Sequence, residues 1–159
     1  MREGGIDVPI EYQPKKSGYV LPQTVYMRVK YTLKDYERMR LLREQLMHGG
    51  FGGVIHRALG TAREGDPTGD KAAALASLTE EVEAIERVLH DMAAIYANSV
   101  KREDIHYFNA LGAFMDYGLF CYLLCDPETG KQPCRQTWQN YKCMLAYRVA
   151  LNLGYICAA

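Results

Sequence analysis

The chain has 159 residues, 48% of them hydrophobic, and 19 Lys/Arg balance 19 Asp/Glu to a net charge of zero. That is enough apolar material for one compact domain built around its own core, without disulfide or metal staples. Zero net charge argues against a uniformly basic nucleic-acid coat, and no run approaches the roughly 18 consecutive apolar residues of a membrane span.

Residues 1–22 hold Pro9, Pro14 and Pro22 with Gly4, Gly5 and Gly18, and read as an extended N-terminal arm. Glu3 and Asp7 occupy this arm and no apolar core follows them, so it does not read as a secretory signal. A cytoplasmic location is therefore expected. In that reducing setting the five cysteines, 121, 125, 134, 143 and 157, read as free thiols that pack as small hydrophobes. Their C-x3-C, C-x8-C, C-x8-C spacing lacks the close pair of a zinc knuckle, so no metal is expected.

A first helix is predicted from Gln23 or Thr24, just after Pro22, to about Met47, where Gly49 and Gly50 stop it. Tyr26, Val29, Leu33, Tyr36, Met39, Leu42 and Leu46 form its apolar stripe, and Lys30, Lys34, Arg38 and Arg40 lie largely off it. Residues 28–63 carry eight Lys/Arg against three acids, whereas residues 64–104 carry ten acids against four bases. A fold of this chain is expected to have one basic and one acidic face. Between the helices, the glycine-rich stretch 49–69 matches neither a phosphate-binding Gly-Lys-Ser/Thr loop nor a dinucleotide fingerprint, and reads as a connector.

A second helix is predicted over 67–97. Asp66 supplies an N-cap and Pro67 a preset first turn. Leu75, Leu78, Val82, Ile85, Leu89, Met92 and Tyr96 then alternate spacings of three and four, a seam that packs along another long helix or along its own copy in a homodimer. Glu80, Glu81, Glu83 and Glu86 are expected on its outside. A third helix, about Arg102–Cys125, is apolar on most sides, and Asp126-Pro127-Glu128-Thr129-Gly130 turns the chain. The fourth, near 134–153, crowds Arg135, Gln136, Gln139, Asn140 and Lys142 beside Trp138, Tyr141, Leu145 and Val149. No segment alternates with period two, so the expected fold is all-α: a long hairpin (23–47 and 67–97) packed with a helix-turn-helix-like pair (102–125 and 134–153).

His48, His56, His90 and His106 are scattered, with no i, i+4 pair and no nucleophile motif beside them. Neither an enzyme nor a cofactor is expected. The fourth helix has the residue types of a reading helix: Arg pairs with guanine, Gln and Asn with adenine, and Lys142 and Arg148 are suited to phosphates.

Four elements recur in order: V-Y-M-x-V-x-Y-x-x-K-D-Y-E-R-M at 25–39, G-D-P-T-x-x-K-A at 65–72, E-x-x-A-I-E-x-x-L at 81–89, and T-W-x-x-Y-K at 137–142 with Y-x-V-A-x-x-L-G-Y-I at 147–156. Together they resemble small phage late-transcription regulators of the RinA/ArpU type, sigma-region-like helical proteins. The resemblance spans most of residues 20–156 and implies duplex DNA as ligand, read by Arg135, Gln136, Thr137, Gln139, Asn140 and Lys142, with host RNA polymerase as a further partner. The chain departs from that pattern where Cys143, Met144 and Leu145 replace a basic run, and where Ala93–Lys101 replaces a short acidic-proline element. The alternative is an anti-defence protein, such as an anti-CRISPR inhibitor, that binds a host nuclease through Glu80, Glu83 and Glu86 or through Lys30, Lys34 and Arg38. A structural protein assembling through the heptad seam is the third reading.

Overall fold

The structure is a computed structural model that describes residues 12–48, 67–97 and 108–157. Regular structure among these residues is helical throughout: α1 (Gln23–Lys34), α2 (Tyr36–His48), α3 (Pro67–Ala97), α4 (Ala110–Met115), α5 (Tyr117–Leu124) and α6 (Arg135–Asn152), preceded by a 3-10 turn at Lys15–Ser17. The chain is all-α, as its periodicities indicate. No helix of the described residues is long and apolar enough to cross a membrane.

Helix α3 keeps the predicted bounds; its expected cap Asp66 lies outside the described residues. Val82, Ile85 and Met92 of the seam are fully buried, and Leu78, Leu89 and Tyr96 pack partly buried against the same core. They face α2 on one side and α6 on the other. The seam is thus satisfied within one chain and is not left over for a second copy.

The single first helix expected over 23–47 is two. Asp35, at φ −90° and ψ −4°, separates α1 from α2. Its N–H is shared between the carbonyls of Tyr31 and Thr32, each at 3.1 Å, and its carboxylate accepts two guanidinium bonds from Arg38 at 2.7 Å. The i→i−4 ladder runs on through the junction, with Met39 N–H on Asp35 O at 3.0 Å, so the two helices meet at a tightened turn. The break has a packing consequence: α1 lies against α6, whereas α2 lies against α3.

The long third helix expected over 102–125 does not form as one rod. Residues 101–107 lie outside the described residues, and Asp116 adopts an extended conformation, φ −134° and ψ 115°, between α4 and α5. Its carboxylate caps the new helix by accepting from the N–H groups of Gly118 and Leu119, while Asn109 caps α4 through the N–H of Gly112. Gly112 lets α5 come close, since a Cβ would stand 2.6 Å from Leu119 Cδ2 and that side chain would have to shift. The helix-turn-helix-like pair is therefore replaced by two short helices and one long one.

Helix α6 is the hub, in contact with α1, α3, α4, α5 and the 3-10 turn. Three consecutive residues, Tyr141, Lys142 and Cys143, are buried. At about 100° per residue they alone cover roughly 200° of its circumference. Tyr141 stands in an aromatic cluster with Tyr96, Phe108 and Phe120 at centroid distances of 5.1–5.7 Å, and its hydroxyl donates to the Ala110 carbonyl at 2.6 Å. Gly154, at φ 77°, closes the helix: Tyr155 N–H returns to Ala150 O and Gly154 N–H to Leu151 O.

Candidate nucleic-acid interface

The first turn of α6 is in solvent, with Arg135, Gln136 and Thr137 all exposed. Local packing holds it there. Trp138 turns inward, donating from its indole to the Ala113 carbonyl at 2.8 Å, and stacks tilted on Tyr117 at 5.1 Å. Tyr117 donates to the Pro133 carbonyl at 3.2 Å and carries the Arg135 guanidinium 4.9 Å above its ring. That exposed cation–π contact contributes about 0.5–1 kcal/mol and leaves the guanidinium edge free to donate. Cys134 is the N-cap residue; the Thr137 hydroxyl at 3.3 Å and the helix-start amides draw its thiol below the usual thiol range.

Beyond that turn the polar residues run inward, against the expectation that they stand free. Gln139 and Asn140 are half-buried; Gln139 Oε1 and Asn140 Oδ1 are sealed from solvent with no hydrogen-bond partner. An unsatisfied buried acceptor costs about 1–3 kcal/mol. Lys142, expected as a phosphate clamp, is only 9% exposed, with its ammonium 4.0 Å from the Trp138 ring centroid. Arg148, also expected on phosphate, is half-buried near Tyr96, whose phenol is pushed up by burial, an effect that Arg148 only partly offsets. The physical reason is a second packed face made of small residues. Cys143, Ala146 and Ala150 are completely buried and admit neighbouring backbones closely. These small residues are the signal in the sequence that α6 is enclosed.

Two further cations join the exposed turn, and the sequence did not single them out. Lys15 and Lys16 sit on the 3-10 turn and, with Tyr12, Gln13, Pro14, Gln23 and Gln136, line a cleft of about 820 Å³. Their position is set by Gln13, whose buried amide donates to Leu21 O at 2.9 Å and accepts from Leu21 N at 2.8 Å, closing the loop like a pair of strand bonds. Leu21, 3% exposed, fastens the end of that loop into the core.

The surfaces considered for a protein partner are partly committed. Lys34 is exposed and Lys30 half-buried, while Arg38 is held by Asp35, whose carboxyl it lowers. Lys34 and Arg38 border an open groove of about 750 Å³ with Arg28, Tyr31, Leu78, Glu81 and Tyr155; Arg28 stacks on Tyr155 at 3.8 Å. On α3, Glu80 and Glu83 are exposed. Glu86 is not a free member of that row: it accepts from Tyr36 at 3.0 Å and pairs with Arg43 at 3.3 Å.

Of the histidines, His48 and His90 are exposed and His56 and His106 lie outside the described residues. Cys121 and Cys143 are buried, Cys125 is half-buried, and Cys134 and Cys157 are exposed. Among the described residues no group of three His, Cys, Asp or Glu converges as a metal would require. No family model, curated protein or solved structure matches this chain.

Proposed function

We propose that the protein is a phage-type transcription regulator, a binding protein rather than an enzyme, that contacts duplex DNA through the first turn of α6 and the neighbouring lysine turn. The observation that supports this most is the exposure of Arg135, Gln136 and Thr137, with Gln136 sharing one cleft with Lys15 and Lys16. Residues of a helix's first turn are those that reach base edges when its end enters the major groove. Arg135 and Gln136 supply the bidentate donors and acceptors for guanine and adenine, and the two lysines supply phosphate contacts. The RinA/ArpU-type resemblance adds the expectation of a homodimer on two half-sites and of host RNA polymerase nearby. Lys142 and Arg148 have no role in this version of the reading.

Fluorescence anisotropy with a randomised duplex pool, at several salt concentrations, tests it. With the two lysines on phosphates, log K should fall against log salt with a slope of about −1.8, at about −0.9 per phosphate. Arg135→Ala should weaken binding about tenfold or more. No binding to any duplex at low salt would end the proposal.

Exposed Glu80 and Glu83 favour a second reading, an anti-defence protein whose acidic helix occupies the basic channel of a host nuclease. Glu80→Lys with Glu83→Lys should then abolish co-purification with the nuclease; retained co-purification would exclude that surface.

A further inference from the structure

Tyr117 and Cys121, one turn apart on α5, both reach the chain just before α6. The Tyr117 hydroxyl donates to the Pro133 carbonyl at 3.2 Å, and the Cys121 thiol donates to the same oxygen at 3.8 Å. That oxygen belongs to the peptide unit that leads into Cys134, so the buried thiol of α5 lies one peptide unit from the residue that heads α6. Tyr117 senses both sulfurs: its phenol is pushed up first by a hydrogen bond with Cys121 and, to a smaller degree, by the charge of Cys134.

The two thiols differ in chemistry. Cys134 is exposed, stands at the start of an 18-residue helix, and has the Thr137 hydroxyl at 3.3 Å. A thiolate in that position accepts from the hydroxyl and from the first-turn amides, which is how a thiol becomes nucleophilic near neutral pH. Cys121 is 5% exposed, shielded from reagents in solvent but next to the Cys134 peptide. Cys125, at the far end of α5, turns elsewhere and donates to the Asp126 carbonyl at 3.7 Å.

We infer that Cys134 is a site of oxidation by hydroperoxides, with Cys121 as the thiol that closes a disulfide on it. The Cys134 thiolate attacks the terminal peroxide oxygen; an S–O bond forms, the O–O bond breaks, and the departing alkoxide or hydroxide takes a proton from water. The sulfur has then given two electrons to the peroxide and is a sulfenic acid. The Cys121 sulfur attacks that sulfur in turn; the S–S bond forms, the S–O bond breaks, and the hydroxide leaves as water with the Cys121 proton. Two thiols and one hydroperoxide thus give one disulfide, one water and one alcohol, or a second water when the oxidant is hydrogen peroxide. The second step turns Cys134 from Thr137 towards α5, a rotation that its exposure permits, and ties the first turn of α6 to α5. This inference stands apart from the DNA-binding reading, because it is read from the state of the thiols alone.

The full chain, reduced and freed of reductant, is treated with stoichiometric hydrogen peroxide and mapped by peptide mass spectrometry. Cys121 and Cys134 should be linked within one chain, two hydrogens lighter than the reduced pair, and dithiothreitol should reverse the link. It should persist in Cys125→Ser and vanish in Cys121→Ser, where Cys134 stops at the sulfenic acid and is captured by dimedone. Before oxidation, iodoacetamide should label Cys134 several-fold faster than Cys157, the other exposed thiol, and Thr137→Val should narrow that gap. Free thiols after peroxide, a link to Cys125, links only between chains, or Cys134 reacting no faster than Cys157 would each overturn the inference.

Discussion

Helices α3 and α6 are the two long rods of the molecule, and their sequences report on them unequally. Helix α3 has a regular three-four seam that calls for another long helix, and α2 and α6 cover that seam within the chain. Helix α6 is dense in Arg, Gln, Asn and Lys and looks built for the surface, yet it is the hub of the core. The difference lies in the small residues. A seam of Leu, Val, Ile and Met fixes which side of α3 is buried, while Cys143, Ala146 and Ala150 bury a second side of α6 that residue types alone do not advertise. Polar composition therefore reports on surface only where the opposing side is also large and apolar.

The contrast can be broken most forcefully at the centre of α6. Tyr141→Ala removes a fully buried ring from the aromatic cluster and its bond to Ala110 O. Urea denaturation should show a loss of about 3–5 kcal/mol, the range for truncating a large buried aromatic. A loss under 1 kcal/mol would mean that α6 is peripheral. Lys142→Ala sharpens the same point. It should cost about 1–2 kcal/mol through its buried stem and its contact with Trp138, with no specific effect on duplex binding. Arg135→Ala should do the reverse, moving affinity while stability stays within about 0.5 kcal/mol, as for exposed positions away from packing.

Smaller effects are expected where partners are missing or shared. Asn140→Leu replaces a sealed, unpartnered acceptor with an apolar side chain and should be neutral or stabilising by up to about 1 kcal/mol. On the α2 side, burial and then the Glu86 hydrogen bond push the Tyr36 phenol from 10.0 up to about 12. Its contribution is complete below pH 10 and is lost as pH rises from 10 towards 12, because the unfolded chain releases that proton first. Tyr36→Phe should flatten this part of the stability profile; an unchanged alkaline slope would contradict the assignment.

The all-helical class was legible from the periodicities, and so were the ends of two helices. Pro67 begins α3, and Gly154 closes α6 within a residue of the predicted end. The two interior breaks were not read, and both lie at aspartates. Asp116 accepts a backbone N–H locally and Asp35 sits in a tightened turn, and hydrophobic spacing reveals neither. Asp116 did carry a signal, since Asp-x-Gly ahead of an apolar run suits an N-cap. At the interface, Arg135, Gln136 and Thr137 were identified and are exposed, whereas Gln139, Asn140, Lys142 and Arg148 turned out wholly or partly enclosed. Lys15 and Lys16 were passed over because proline and glycine mark residues 1–22 as an arm, and the clamp made by Gln13 depends on a contact eight residues away.

Lysine acetylation read by mass spectrometry, with and without duplex DNA, addresses the central claim, that α6 belongs to the core and offers only its first turn. Lys15 and Lys16 should label rapidly in the free protein and be shielded by DNA, while Lys142 labels slowly in both states. Rapid labelling of Lys142, with DNA shielding it and leaving Lys15 and Lys16 reactive, would contradict the account.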